Sequence, residues 1–168
     1  MTEHQPPDQF PSSKAYRHLI DAQQTLLLST CSADRQPEIS YAPFVQDERG
    51  RFYIFVSELA KHTPNLLQNP NASILFIEPE SRCRNLFARE RVVFHCSART
   101  VSPGDPLYPR QLQALEDKFG NMAALLRTLP DFHLIELTPE TGQYVAGFGK
   151  AYTIDLDRNI LHPFRKEP

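Results

Sequence analysis

Four places in the chain carry side chains whose types and spacing could do chemistry. The first is Ser57-Glu-Leu-Ala-Lys-His-Thr-Pro-Asn65, where an apolar run meets a helix start and brings together Ser57, Lys61, His62 and unpaired backbone N–H groups. Such a cluster suits a phosphate or carboxylate, because a helix N-terminus favours negative charge. A capped turn with solvated Lys61 and His62 is the plainer alternative. The second is Arg91 in Arg89-Glu-Arg91-Val-Val, a guanidinium that could clamp an anion or form an ordinary rim ion pair. In the third, Leu129-Pro-Asp131-Phe-His133, Asp131 and His133 stand two residues apart and so share one side of a strand. A carboxylate there can accept an imidazole Nδ1–H and set its tautomer, although Asp after Pro at a strand start also reads as a cap or turn residue. The fourth is His162, in a proline-flanked tail without sheet pattern. It has work to do only if the tail folds over a pocket or reaches a partner chain.

Several other chemistries are excluded by what surrounds these groups. Three cysteines, Cys31, Cys83 and Cys96, include no Cys-x-x-Cys pair and fit reduced thiols in a cytoplasmic protein. Six histidines lack His-x-x-His or His-Glu-x-x-His spacing, so no structural zinc site is expected, while a single axial ligand to a cofactor is allowed. There is no Gly-x-Gly-x-x-Gly, Walker-type or Gly-x-Ser-x-Gly motif. A net charge of −2 supplies no long-range attraction for nucleic acid or anionic lipid. The longest apolar runs, such as 26–28 and 74–77, fall far short of a membrane span, and residues 1–11 carry no apolar signal region. A cytoplasmic protein with neither nucleic-acid nor membrane partner is the expectation.

The elements that must position these groups follow from periodicity. Ser12 or Ser13 can cap a helix reaching Gln24, with Tyr16, Leu19 and Ile20 at helical spacing, as a lid on a sheet. Strands are expected at 25–31, 38–45 and 51–56, joined by short turns that impose antiparallel pairing. Thr63-Pro64 reads as a cap and first helical residue, with Pro70 stopping that helix and a strand following at 72–77. Residues 80–88 have helical spacing, and 89–101 is a long strand with Val92, Phe94, Cys96 and Ala98 on one face and Arg91, Val93, His95, Ser97 and Arg99 on the other. Helices at 107–119 and 122–129, broken by Gly120, precede strands at 131–137 and 142–155 joined by a turn at 138–142. The 168 residues make one domain with a sufficient core: residues 1–11 a disordered tail, 12–155 the domain, and 156–168 a tail able to close over a cleft. The fold expected is mainly β with peripheral helices, a small antiparallel barrel, closed or partly split.

Ser40-Tyr-Ala-Pro-Phe-Val45, His62-Thr-Pro-Asn-Leu, Leu86-Phe-Ala-Arg-Glu-Arg91, Leu129-Pro-Asp-Phe132 and Tyr144-Val-Ala-Gly-Phe-Gly-Lys-Ala-Tyr152 occur in this order. Over roughly residues 13–155 the chain thereby resembles the HugZ/HutZ-type haem-utilisation family, within the pyridoxamine 5′-phosphate oxidase-like, FMN-binding split barrels. The resemblance implies a six-stranded split β-barrel, homodimeric, with haem in the cleft between protomers and oxidative opening of the porphyrin to release iron, driven by an external electron donor. By the same resemblance His62 is the cleft histidine, Arg91 the basic residue near the propionates, and Asp131 the carboxylate on the proximal histidine. The axial ligand comes from the C-terminal segment, which points to His162, although His162-Pro-Phe-Arg differs from the family's Gly-His-Arg-like setting. Lys61 is a further candidate for neutralising propionates. The alternatives are an FMN-dependent oxidoreductase, with Ser57, Lys61 and Asn65 around the cofactor phosphate; a non-catalytic haem carrier; and an unliganded structural or regulatory barrel.

Overall fold

The computed structural model describes residues 11–164, so the disordered tail expected at 1–11 lies, but for Pro11, outside the described residues. The element order is α1 (Lys14–Asp21), β1 (Thr25–Cys31), β2 (Pro37–Pro43), β3 (Val45–Gln46), β4 (Phe52–Ser57), α2 (His62–Gln68), β5 (Asn71–Ile77), β6 (Arg91–Val101), α3 (Leu107–Phe119), α4 (Asn121–Leu126), β7 (Phe132–Gly147), β8 (Lys150–Asp155) and β9 (Ile160–Pro163). Every pairing is antiparallel, in the order β2-β1-β5-β6-β7-β4-β3, with β8 on β7 and β9 on β8. Among the described residues there are nine strands rather than the six expected, while the mainly β, antiparallel barrel with peripheral helices stands as read. Among the described residues no helix is long and apolar enough to cross a membrane.

The single strand expected at 38–45 is two strands, because Pro43 has no N–H to continue a ladder and Phe44 turns its ring into the core. Consecutive β2 and β3 thus pair with different strands, β1 and β4, and the chain itself closes the barrel at this corner. Inside, Phe44, Phe52, Phe76 and Phe94 form a chain of ring contacts with neighbouring centroids 5.2–5.8 Å apart. Tyr16, Leu19 and Ile20 of α1 cover one end, as the helical spacing predicts. A second cluster, Val45, Tyr53, Val101, Leu112, Leu115 and Leu134, buries the inner face of α3.

Five further expectations are corrected. Residues 80–88 form two separate 3-10 turns, Glu80–Arg82 and Leu86–Ala88, rather than a helix. The final helix ends at Leu126. Helix α2 begins at His62 with Lys61 as its cap, so Thr63 lies inside the helix and its hydroxyl donates to the Ser57 carbonyl (2.6 Å). No turn interrupts residues 138–142: β7 is one strand of 16 residues. Pro139, opposite Cys96 of β6, sits where the other edge of β7 exchanges β4, paired as far as Leu137, for β8, paired from Gly142, an interrupted stretch that tolerates a residue without an N–H. A register shift against β6 between His95 and Cys96 marks the same bend. Beyond the expected boundary at Asp155 the sheet continues, since β9 pairs with β8 from Asp155↔Ile160 to Tyr152↔Pro163.

Candidate functional site

The candidate residues fall into two groups. The first lies where β4 runs into α2. Ser57, the last residue of β4, donates its hydroxyl to Asp131 Oδ2 (2.6 Å) and accepts the Leu59 N–H (3.1 Å), while the Asp131 carbonyl accepts the Glu58 N–H (2.9 Å). Asp131 therefore stands just before β7, bound to Ser57. His133, on β7, pairs instead with Glu58 (2.7 Å), so the Asp131–His133 pair expected from spacing is not formed.

Helix α2 supplies the rest of this group. His62 is buried, with Nδ1 2.9 Å from Ser40 Oγ, and Nε2 is a buried nitrogen without a hydrogen-bond partner. Ser40 Oγ also lies 3.4 Å from the Leu28 carbonyl and is its donor. The Ser40 oxygen is then left to accept from Nδ1–H, which makes the unpaired Nε2 a bare acceptor. Burial pushes the His62 imidazole below its ordinary pKa of 6.5, toward the neutral form. Asn65 is buried and donates to Thr30 Oγ1 (3.0 Å). Lys61 is exposed, 3.6 Å from Glu38 Oε1. Ser57 and Asn65 thus hydrogen-bond to partners inside the fold, while Lys61 faces Glu38 at the surface.

The second group lies on the outer face of the sheet. Because β-strand side chains alternate, the residues flanking the inward set point outward, and the registers place Tyr41, Leu27, Leu75, Val93, Gln143, Thr153 and His162 in one row across seven strands. A neighbouring row runs Ile77, Arg91, Val145 and Ala151. The other flanking row runs Ile39, Ser29, Ser73, His95 and Thr141. Ile39 is 78%, Tyr41 65% and Leu27 37% exposed, a concentration of apolar surface that marks an interaction site rather than scattered surface residues. Arg91 borders it and donates a hydrogen bond to the Arg89 carbonyl two residues earlier (3.1 Å). His162 is exposed on β9, Nε2 3.9 Å from Asp155 Oδ2, too long for a hydrogen bond.

Arg91 and His162 therefore share a face, and Ser57, Asp131, His62 and Asn65 share a seam. Asp131 and His162 do not meet within one chain: they lie beside opposite ends of β7. Among the described residues no cluster of three or more His, Cys, Asp or Glu side chains could hold a metal ion. The apolar row was missed in the sequence because its apolar members are assembled from four strands, β2, β1, β5 and β6, although the alternation within β6 already placed Arg91, Val93 and His95 together.

Comparison with known proteins supplies a context for this geometry. The family model described as pyridoxamine 5′-phosphate oxidase matches residues 12–146. The heme oxygenase HutZ of Vibrio cholerae is 38% identical over 147 residues, 88% of this chain and 81% of that protein. The chloroplastic non-canonical heme oxygenase HOZ of Arabidopsis thaliana is 30% identical over 129 residues, 75% of this chain but only 37% of that protein. A crystal structure of V. cholerae HutZ, described there as a heme storage protein, superposes with a TM-score of 0.71 at 35% identity, covering 76% of this chain and 89% of that one. Campylobacter jejuni ChuZ gives 0.79 at 29% identity, covering 92% of this chain and 65% of that one.

Proposed function

We propose that this chain, which belongs to the pyridoxamine 5′-phosphate oxidase family, binds haem against the outer face of its barrel and opens the porphyrin oxidatively, releasing iron. The observation that carries the reading is the shared outer face: an apolar row for the macrocycle, Arg91 at its border and His162 in the row itself. Likeness to the heme oxygenase HutZ at 38% identity over most of both chains supports the chemistry.

His162 is the proposed axial ligand, held on β9 rather than on a loose tail. A neutral imidazole on one side of the ring leaves the other side open to dioxygen, with electrons from an external donor. Arg91 neutralises a propionate by charge-assisted hydrogen bonding, and the exposed Lys61 does so at the cleft edge. Asp131 accepts the imidazole's remaining N–H and adds electron density to the iron. Because Asp131 and His162 lie apart in one chain, we place the two in different copies of a homodimer, with His62 lining the cleft between them. The exposed Ile39 and Tyr41 support such an interface, since apolar surface of this kind is what an obligate partner covers. The three free thiols fit the reducing cytoplasm, where we locate the protein.

A second reading, storage without ring opening, is favoured by the description of HutZ as a heme storage protein. A single-turnover assay with ascorbate separates the two: loss of the Soret band with release of iron supports ring opening, and a stable Soret band supports storage.

A further inference from the structure

We infer that His95, held by Ser73, is a second anchor beside Arg91 for the propionate carboxylates of haem. The inference rests on the proposed haem site and adds to it a residue that neither the spacing nor the resemblance singled out.

Arg91, Val93 and His95 step along the outer face of β6, so the guanidinium and the imidazole flank one apolar side chain, their Cα atoms about 13 Å apart. Both side chains can lean toward the gap between them. Across the sheet, His95 is three strands from His162, about 14 Å at the usual strand spacing, and one row further along. A haem ligated at His162 and lying over β8 and β7 presents its carboxylate edge toward β6. Its propionates are a pair; on β6 Arg91 accounts for one of them, and Lys61, at the start of α2, is not on this strand.

The chemistry of His95 suits the other. Ser73 is its cross-strand partner, and Ser73 Oγ lies 2.8 Å from Nδ1, which fixes the ring on the exposed surface. With the hydroxyl donating to Nδ1, the ring proton sits on Nε2 and faces outward as a donor; in the imidazolium form Nε2–H donates as well. An arriving carboxylate selects these two forms over the tautomer with a bare Nε2. Ser73 is thus a positioning residue that acts through His95. Glu140 borders the same recess, so a propionate there meets one attractive and one repulsive group.

The test titrates haemin, and separately its propionate dimethyl ester, into the purified protein and variants, following the Soret band. His95→Ala should weaken haemin binding roughly five- to tenfold, the scale of one charge-assisted hydrogen bond at a partly exposed site, and change ester binding less than about twofold. Ser73→Ala should show a smaller loss with the same selectivity, His95→Gln should recover part of the haemin affinity, and Glu140→Gln should tighten haemin but not the ester. Equal losses on both ligands, or no loss on haemin, would overturn the inference. Should His95→Ala fold poorly, His95→Gln and Ser73→Ala carry the same comparison. His162→Ala separates this inference from its premise: if that variant binds haemin with an unchanged spectrum, the ligand assignment fails and the anchor falls with it. If His162 matters and His95 does not, the anchor alone is wrong.

Discussion

Single residues divide the work between holding the fold and meeting the substrate. Asp131 already accepts the Ser57 hydroxyl at 2.6 Å, which fixes its carboxylate and leaves Oδ1 available to a histidine from outside the chain. Asp131→Ala should therefore still bind haem but open it more slowly, by about tenfold or more, the usual cost of removing the outer partner of a metal-bound histidine. Full activity in that variant, measured by loss of the Soret band under ascorbate, would exclude the role. His62 predicts a different signature. Burial lowers its folded-state pKa below 6.5, so the unfolded chain binds more protons than the folded one once the pH drops below about that value. Stability contributed by the neutral ring is complete above pH 6.5 and declines as the pH falls toward the folded pKa. Urea midpoints at pH 7.5 and 5.5 should differ in the wild type, and His62→Gln should narrow that difference; an equal difference in both proteins would contradict the assignment. Residue identities were legible where local pattern sufficed, as for the positions of Ser57 and Arg91. The Asp131–His133 pairing was not, because Glu58, brought over by the β4–β7 ladder, competes for the imidazole.

At the scale of elements, strands announced by alternation were read well and their interruptions were read badly. The inward set of β6, Val92, Phe94, Cys96 and Ala98, is buried as alternation predicts. Thr138-Pro-Glu-Thr-Gly142 looked like a turn because Pro and Gly usually punctuate strands. Here Pro139 occupies a gap between the β4 and β8 ladders on one edge of β7, and Gly142 is required by packing: a Cβ at that position would stand 2.9 Å from the Phe94 ring and 3.0 Å from Ile154 Cδ1. Both signals came from tertiary neighbours that no local window contains. Gly142→Ala should accordingly destabilise the barrel by about 1–3 kcal/mol through overpacking. For a chain of this size that lowers Tm by several degrees in a thermal melt, at roughly 2–4 °C per kcal/mol. An unchanged Tm would mean that the Phe94 ring yields freely. Strand β9 escaped notice for the same reason: its four residues, Ile160–Pro163, are too short to display a period and are recruited by the edge of β8.

At the scale of the whole molecule, the barrel closes its interior but leaves an apolar row on its outside, with Ile39 and Tyr41 largely exposed. Charged substitution there should cost the assembly more than the fold. On the proposed homodimer, Ile39→Asp combined with Tyr41→Asp is expected to shift the protein from dimer to monomer in sedimentation velocity, to keep its far-UV spectrum, and to slow haem opening because Asp131 and His162 of different copies would no longer meet. A monomeric wild type, or a monomeric variant with full turnover, would contradict a site shared between copies. The central claim is that His162 presents haem for ring opening, and one optical experiment bears on it most directly: haemin is added to wild type and His162→Ala, a spectrum is taken, and ascorbate then starts a single turnover. The account predicts a shifted Soret band in the wild type that disappears with iron release, and in His162→Ala a lost or strongly altered band with no turnover. Wild-type protein that is yellow, carries flavin bands and leaves haemin unshifted would contradict it, as would a His162→Ala variant whose spectrum and turnover match the wild type.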